Sequence, residues 1–204
     1  MARYPAGHKE EVRKRIVDEA AAAYREHGLE GIGIQSLMRR LGLTHGGFYV
    51  HFPDREALIV AALARAGELA VARFRSDARG EVVSFAEFTK RYLSAEHRDQ
   101  PGAGCPVTAL APAAYRQPEP VRSAVALAAS GFLDNVGRAM AVDDEPKLKP
   151  KKRGAALSDE AIAVGCVLIG SLVLARALGD TPLSARVLAV GRRIVRSLQS
   201  EEIE

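Results

Sequence analysis

The sequence predicts an all-α protein, and three observations support this fold class. Alanine and leucine dominate a chain of 204 residues in which 48% of the residues are hydrophobic. Apolar residues recur at intervals of three and four, the period of a helix with one buried face. Glycines and prolines interrupt these runs, and no alternation of β-branched residues bounded by hairpin signals stands out. A chain of this length builds one large domain or two modest ones, each with its own core.

The first predicted helix runs from Lys9 to His27. Val12, Ile16, Ala20 and Ala23 form its apolar stripe, and Gly28 supplies the stop. The first turns are basic, with Lys9, Arg13, Lys14 and Arg15 preceding or flanking that stripe. Two interpretations of this basic turn remain open: a contact with a phosphate backbone, and the solvated end of a surface helix.

A helix-turn-helix is predicted between Gly33 and His51. Ile34, Leu37, Met38 and Leu41 recur at helical spacing, Gly42 stops that helix, and Thr44 opens a second one that carries Phe48. Apolar residues would hold the two helices together. The residues left on the outer surface of the second helix, where a major groove can receive them, are Thr44, His45, Gly46, Gly47, Tyr49 and His51. This arrangement indicates a DNA-binding regulator.

A long third helix is expected after the motif. Phe52 should pack inward four residues beyond Phe48, Pro53 should end the recognition helix, and Asp54 should cap a helix running to about Ser76. The net charge of +4 is compatible with a nucleic-acid partner. Charge alone does not establish one.

The segment from Lys9 to about Arg65 resembles the DNA-binding domain of the tetracycline-repressor (TetR) family. The resemblance rests on Gly42-Leu43-Thr44-His45-Gly46-Gly47-Phe48-Tyr49-Val50-His51-Phe52, followed by Arg55-Glu56-Ala57-Leu58. It covers about the first third of the chain. It implies a DNA-binding domain over 9–69 with its motif at about 33–52, and a helical ligand-binding and dimerisation domain over 84–200.

The resemblance also implies which residues contact DNA. Thr44 caps the recognition helix and can donate to a phosphate, and His45 lies where such a helix first meets base edges. Tyr49 and His51 point at the backbone in family members, and Arg55 stands where the family commonly has lysine. The expected contacts are Gln35, Thr44, His45, Gly46, Gly47, Tyr49, His51 and Arg55.

One position departs from the family pattern. Many relatives carry threonine or serine where this chain has Gly33, and an arginine near Gln35. One phosphate anchor is therefore missing, although the Gln35 amide can still bond a phosphate or a base edge. The departure bears on affinity and sequence preference rather than on DNA binding itself.

The second half opens with a capping box, Ser84-Phe85-Ala86-Glu87, which predicts a helix start. Aromatic and apolar residues downstream are candidates for an effector cavity, although such stripes also serve as plain core. Cys105 at the start of another predicted helix is either a packing residue or a redox-sensing thiol. The candidate cavity residues are Phe88, Tyr92, Cys105, Tyr115, Phe132, Asn135, Val136 and Met140.

The last two predicted helices have the composition of a subunit interface. The run from Ser158 to Gly179 is apolar on all sides, with Gly165, Gly170 and Ser171 allowing close approach, and Thr181-Pro182 caps the final helix. Paired with a second copy, these helices would form a four-helix interface, as the family does. The charged, proline-containing stretch at 143–154 is predicted to be a surface loop.

The expected partners are a palindromic double-stranded DNA operator, an unidentified small-molecule effector and a second copy of the chain. No cofactor, metal site, hydrolytic triad or nucleotide-binding fingerprint is predicted, which excludes the common enzyme classes. The first fifteen residues lack the apolar core of a signal peptide, and no stretch is expected to span a membrane, so a cytoplasmic regulator is predicted. The alternatives are a small-molecule carrier and a redox-sensing regulator that acts through Cys105.

Overall fold

The computed structural model describes residues 7–144 and 157–200, and these residues are helical with no strand beyond an isolated bridge between Ser76 and Val82. The predicted all-α fold class is confirmed. The predicted loop at 143–154 lies outside the described residues from position 145 onward. The helices are α1 (His8–His27), α2 (Ile34–Arg40), α3 (His45–Phe48), α4 (Arg55–Arg75), α5 (Phe85–Tyr92), α6 (Ala95–Asp99), α7 (Pro106–Leu110), α8 (Glu119–Asp144), α9 (Asp159–Leu178) and α10 (Pro182–Ser200).

The chain divides into two compact units, and each unit is built from two separate stretches of sequence. The first unit comprises residues 1–68 and 101–128, and the second comprises residues 69–100 and 129–204. Helices α4 and α8 therefore each contribute residues to both units. The functional domain bounds of 9–69 and 84–200 stay a prediction. That residues 101–128 join the first unit is a tertiary feature that the local sequence pattern does not reveal.

Contacts with α1 explain why residues 101–128 belong to the first unit. The buried Arg25 guanidinium donates a hydrogen bond to the Gly104 carbonyl at 2.7 Å. Gly102 lies so close to α1 that a Cβ there would stand 2.3 Å from a Glu26 carboxylate oxygen. Farther along, Leu110, Val121 and Val125 complete the same hydrophobic core as the apolar faces of α1, α2 and α4. The core that supports the helix-turn-helix thus includes residues about 60 to 90 positions away from it in sequence.

The second unit is held together by aromatic stacking and by a buried arginine. Tyr92 on α5 packs against Phe74 at 5.2 Å and Phe132 at 5.4 Å between ring centroids. Arg98 on α6 reaches Asp180 at 2.8 Å and the Ser184 hydroxyl at 3.1 Å, and so ties α6 to the start of α10. Because a buried charge without partners is costly, these bonds allow Arg98 to lie inside the unit.

Helix α9 packs closely against α8 and α10 through small residues. A Cβ on Gly165 would stand 2.4 Å from a Leu133 methyl, and one on Gly191 would stand 2.5 Å from the Ser171 hydroxyl. The close approaches predicted at Gly165 and Ser171 are therefore present, whereas Gly170 faces open space.

The apolar character of α9 corrects one expectation. Its 20 residues have a mean hydropathy of 2.2 over the most apolar window, so by length and composition alone the helix can cross a membrane. The prediction that no stretch reaches that length was wrong, because the helix includes Asp159 and extends beyond the uncharged run. Helices in the cores of water-soluble proteins pass the same test, and one third of this window is buried within the unit.

Two short helical segments lie between α5 and α7. Helix α6 is capped by Ser94, which accepts a hydrogen bond from the His97 amide at 3.1 Å. A 3-10 turn follows at Pro101–Ala103. Helix α8 then spans Glu119–Asp144.

Candidate nucleic-acid interface

The turn between α2 and α3 is fixed by a glycine in a left-handed conformation. Gly42 has φ 71°, and its amide donates to the Arg39 carbonyl at 3.0 Å. The next amide, that of Leu43, donates to the Met38 carbonyl at 2.9 Å. This pair of bonds is a Schellman motif, which satisfies the last carbonyls of α2 and turns the chain sharply. The turn sets the angle at which α3 leaves α2.

Helix α3 begins at a side-chain cap and is shorter than predicted. The Thr44 hydroxyl accepts from the Gly47 amide at 3.3 Å, as a helix N-cap does. The α-helix ends at Phe48, and the chain continues with a tighter turn in which the His51 amide donates to the Phe48 carbonyl at 2.9 Å. Two consecutive glycines weaken a short helix, which explains the early end. Pro53 therefore does not terminate this helix.

Side chains of α3 and the following turn separate into an inner and an outer set. Phe48 and Phe52 are buried and stack with ring centroids 5.8 Å apart. Tyr49 is 58% exposed, and its ring meets the His45 ring edge-on at 5.7 Å. Thr44 and His45 are exposed beside it. The outward face thus presents hydroxyl and imidazole groups, whereas the buried rings of Phe48 and Phe52 pack on the inner side of α3.

The two glycines of α3 are not required by the packing of this chain. A Cβ on Gly46 would meet nothing within 4 Å, and one on Gly47 would make only ordinary contacts, with Thr44 at 3.5 Å and Met38 at 3.9 Å. Neither residue has a positive φ. Alanine would fit at both positions and favour the helix by about 1 kcal/mol each. The absence of side chains on this exposed edge fits a surface that another molecule approaches closely.

His51 lies beside the basic first turns of α1. Its Nδ1 atom is buried and has no hydrogen-bond partner among the described residues. Burial, followed by the charges of Lys9 and Arg13, holds the pKa of His51 below its usual value, and Glu10 opposes this only in part. The Arg13 guanidinium also lies over the Phe52 ring, 4.8 Å from its centroid. The positive groups at the start of α1 therefore lie next to the turn that follows α3.

The remaining two predicted contact residues differ from each other. Gln35 is exposed in the first turn of α2, behind Gly33, which caps that helix without a side-chain bond. Arg55 is partly buried, donates to the Leu29 carbonyl, and lies 3.6 Å from a Glu30 oxygen. The guanidinium of Arg55 is thus engaged in holding the segment between α1 and α2. A phosphate contact by Arg55 stays a prediction, and it competes with this internal role.

Comparison with known proteins agrees with this geometry. Residues 16–62 match the family model described as bacterial regulatory proteins, tetR family. The chain is 34% identical over 64 residues to the HTH-type transcriptional regulator SrpR of Pseudomonas putida, which is 31% of this chain and 30% of SrpR. The chain carries a TetR-family segment at residues 16–62. It spans about a third of the length of the curated relatives it matches, so the family relationship in sequence rests on the first unit.

Solved TetR-family structures resemble the whole fold. A transcriptional regulator from Cytophaga hutchinsonii superposes with a TM-score of 0.70 at 17% identity, covering 95% of this chain and 98% of that one. AibR, solved in complex with isovaleryl coenzyme A and operator DNA, superposes with a TM-score of 0.58 at 13% identity, covering 90% of this chain and 97% of that one. At these identities the likeness establishes a shared TetR fold.

The predicted effector residues do not all come together. Phe88, Tyr92, Phe132, Asn135, Val136 and Met140 belong to the second unit, whereas Cys105 and Tyr115 belong to the first. Cys105 is 2% exposed and Tyr115 is 68% exposed. Neither has the environment expected of it: buried thiols are usually inert, and an exposed tyrosine does not line a cavity. Their assignment to one cavity with the other six stays a prediction without structural support.

Sequence reasoning missed two polar residues near that group, Arg75 and Thr89. Arg75 ends α4 and Thr89 lies on the buried face of α5. In sequence, an arginine in the last turn of a helix is typical of an ordinary helix terminus, which favours positive charge. What distinguishes them is that Thr89 is buried and that the partly buried Arg75 has a buried Nε atom without a hydrogen-bond partner among the described residues.

Proposed function

We propose that this TetR-family protein is a homodimeric transcriptional regulator that binds a palindromic operator and is released from it by a small-molecule effector. The observation that carries the proposal is the outward face of α3. It presents Thr44, His45 and Tyr49 around Gly46, a glycine that no packing within the chain demands. The length of this edge and its polar groups suit a major groove.

The proposed DNA contacts are divided by role. The His45 imidazole faces base edges, while Tyr49 and His51 bond backbone phosphates, and Gln35 adds a contact from α2. Thr44 donates to a phosphate near the start of α3, and Gly46 and Gly47 let the helix approach closely. The basic first turns of α1, next to His51, extend the phosphate contact.

Dimerisation is proposed through α9 and α10. Exposed apolar side chains on these helices include Ile162, Leu174 and Ile194, which water-soluble monomers seldom display on adjacent helices. A two-fold axis would bring each helix pair against its copy and would present two α3 helices to successive grooves. On this proposal α9 is a cytoplasmic interface helix rather than a membrane span, and the protein is not an enzyme.

Release from the operator is proposed to result from thermodynamic linkage between the effector site and the DNA site. Effector in the second unit and operator on the first stabilise different arrangements of the dimer, so each lowers the affinity of the other. AibR, a protein of the same fold, forms a complex with both isovaleryl coenzyme A and operator DNA, and this supports the combination of an effector site with a DNA site.

The test is selection of genomic DNA fragments by the purified full chain, followed by retention of the selected duplex at increasing salt. We expect one recurring palindrome and an affinity that falls steeply with salt, because phosphate contacts release counterions. The variant His45→Ala should lose most of the sequence preference. His27→Ala is the matched control, since His27 is also exposed but lies at the far end of α1. Absent or salt-independent binding would favour a small-molecule carrier.

A further inference from the structure

Three helices of the second unit surround a common interior. The last turn of α4 meets α5 through Phe74 and Tyr92, whose ring centroids are 5.2 Å apart. Tyr92 in turn meets Phe132 of α8 at 5.4 Å. Arg75 closes the triangle, because its Nη1 donates to the Asn135 Oδ1 at 3.4 Å. Each pair of these helices is therefore in side-chain contact around one shared region.

Arg75 brings an unmatched positive charge into this region. Its Nε atom is buried and has no hydrogen-bond partner in the described part of the chain. Among the residues that the structure describes, no carboxylate lies within 4.0 Å of its guanidinium, and its one bond, to Asn135, is long. Burial lowers the pKa of Arg75, and the charge of Arg138 lowers it further. Partial burial removes some of the hydration of this charge, and a bound anion would offset that cost.

Three arginines near Arg75 in sequence do have a counter-ion among the described residues: Arg73 lies 2.9 Å from Glu96, Arg91 lies 2.8 Å from Glu87, and Arg98 lies 2.6 Å from Asp99. Arg73 is only two residues before Arg75 on the same helix. Arg73 therefore provides a local comparison for Arg75.

Helix α5, which contacts α4 through Phe74 next to Arg75, contributes aromatic side chains and a second polar group that lacks a partner among the described residues. Phe85, Phe88 and Tyr92 share the buried face of α5 with Thr89. The Thr89 hydroxyl is buried and makes no hydrogen bond to any described residue. Ligand sites typically combine an apolar lining with a few polar groups that fix orientation.

We propose that the effector is an organic monocarboxylate whose carboxylate binds the Arg75 guanidinium beside Asn135, and whose apolar body lies against the aromatic side chains of α5 and α8. The inference rests on the proposed ligand-gated function and names the chemical class of its effector. A guanidinium binds a carboxylate through two parallel hydrogen bonds, and the free Nε can provide one of them. The aromatic side chains favour an acid with an apolar body over a free inorganic phosphate.

The test compares two acids with their uncharged amides on the full chain. Calorimetric titration is carried out with 4-phenylbutyrate and 4-phenylbutyramide, and with octanoate and octanamide. We expect at least one acid to bind about tenfold or more tightly than its amide. Arg75→Gln should remove that preference, and Arg75→Lys should retain part of it. If neither acid is preferred over its amide, or if Arg75→Gln keeps the preference, the proposal is overturned.

Arg73→Gln serves as the matched control because it removes an arginine that already has a carboxylate partner. It should leave the acid-to-amide ratio unchanged. A second readout needs no ligand: in anion-free buffer Arg75→Met should melt at or above the temperature of the parent chain, whereas Arg73→Met should melt below it. A lower melting temperature for Arg75→Met than for Arg73→Met would show that Arg75 is structural and would overturn the proposal.

Duplex retention by the same proteins separates this inference from the proposed function. If Arg75→Gln and the parent chain both retain selected DNA but no acid is preferred, the carboxylate proposal alone fails. If no duplex is retained while the acid is preferred through Arg75, the regulator proposal fails and the anion site stands.

Discussion

Single residues on the outward edge of α3 are not explained by packing within the chain. Gly46 shows this most clearly, since a methyl group would fit there and would favour the helix. The sequence predicted the outward positions of Tyr49 and His45 correctly, because the period of a helix determines which side chains share a face. It could not predict that the Arg55 guanidinium turns inward to the Leu29 carbonyl, since that depends on where the loop after α1 lies.

Gly46→Ala should raise stability and lower DNA affinity. The free energy of unfolding should increase by up to about 1 kcal/mol, as for alanine in place of glycine within a helix. The added methyl would stand between α3 and the duplex and weaken binding by about tenfold, which corresponds to roughly 1.4 kcal/mol. Denaturant titration and duplex titration measure the two effects.

Gly67→Ala in α4 is the control for that pair of measurements. Gly67 also lies within a helix with nothing within 4 Å of an added Cβ. It should stabilise the protein similarly and leave duplex affinity unchanged. Equal loss of affinity in both variants would mean that helix rigidity, not close approach, is responsible.

His51 should make duplex affinity depend on pH. In the free protein its pKa lies below the usual value, so the imidazole is neutral near pH 7. A backbone phosphate would raise that pKa, so that binding takes up a proton and affinity increases as pH falls from about 7.5. The gain should level off once pH drops below the pKa of the free protein. Duplex titration across this range should show a weaker dependence for His51→Gln than for the parent chain.

His45 is the other imidazole among the proposed DNA contacts, so His45→Gln provides the comparison. Any pH dependence that persists in His51→Gln but disappears in His45→Gln belongs to His45. A dependence that is the same in the parent chain and in His51→Gln would exclude a phosphate contact by His51.

The sequence predicted where capped helices begin. It did not predict a short helix whose contacts come from residues far away in the chain. Ser84 and Thr181 accept amide hydrogen bonds at the positions that their sequences indicate, because a cap needs only neighbours within four residues. Helix α6 escaped prediction although Ser94 caps it, since its burial depends on Arg98 bonding Asp180 and Ser184. Those partners lie 82 and 86 residues away, beyond the reach of any local pattern.

The turn between α2 and α3 should be the most sensitive single position of the motif. Gly42 has φ 71°, where an L-residue with a Cβ costs about 1–2 kcal/mol. Gly42→Ala should therefore lower the free energy of unfolding by about that amount and also weaken duplex binding. Thermal and denaturant unfolding would measure the first effect.

Gly33→Ala is its control, because Gly33 has an ordinary φ of -87° and open space around it. We expect a smaller loss of stability there, which comes only from alanine being a poorer N-cap than glycine. If the two substitutions cost the same, the left-handed turn is not what makes Gly42 necessary.

The whole molecule should depend on its last two helices for assembly. Leu174 is 58% exposed on α9, although the opposite face of that helix is buried. Leu174→Glu should place charges against one another across a two-fold interface and shift the protein to monomers. Sedimentation velocity would show this shift, and retention of a two-half-site duplex should fall while the melting of the helices changes little.

Leu127→Glu tests whether any exposed leucine would behave in this way. Leu127 is 76% exposed on α8, and its replacement should leave the sedimentation coefficient unchanged. A parent chain that sediments as a monomer at micromolar concentration would contradict the proposed assembly.

Helix α4 starts at Arg55, which holds the segment before α2, and ends at Arg75, the proposed anion anchor. Its 21 residues contain no break, so about 30 Å of uninterrupted hydrogen-bonded backbone joins the two arginines. Each residue added to or removed from such a rod turns one terminus by about 100° with respect to the other. Substitutions in α4 should therefore be tolerated more readily than insertions or deletions. Insertions between homologues should concentrate in the loops on either side of the helix.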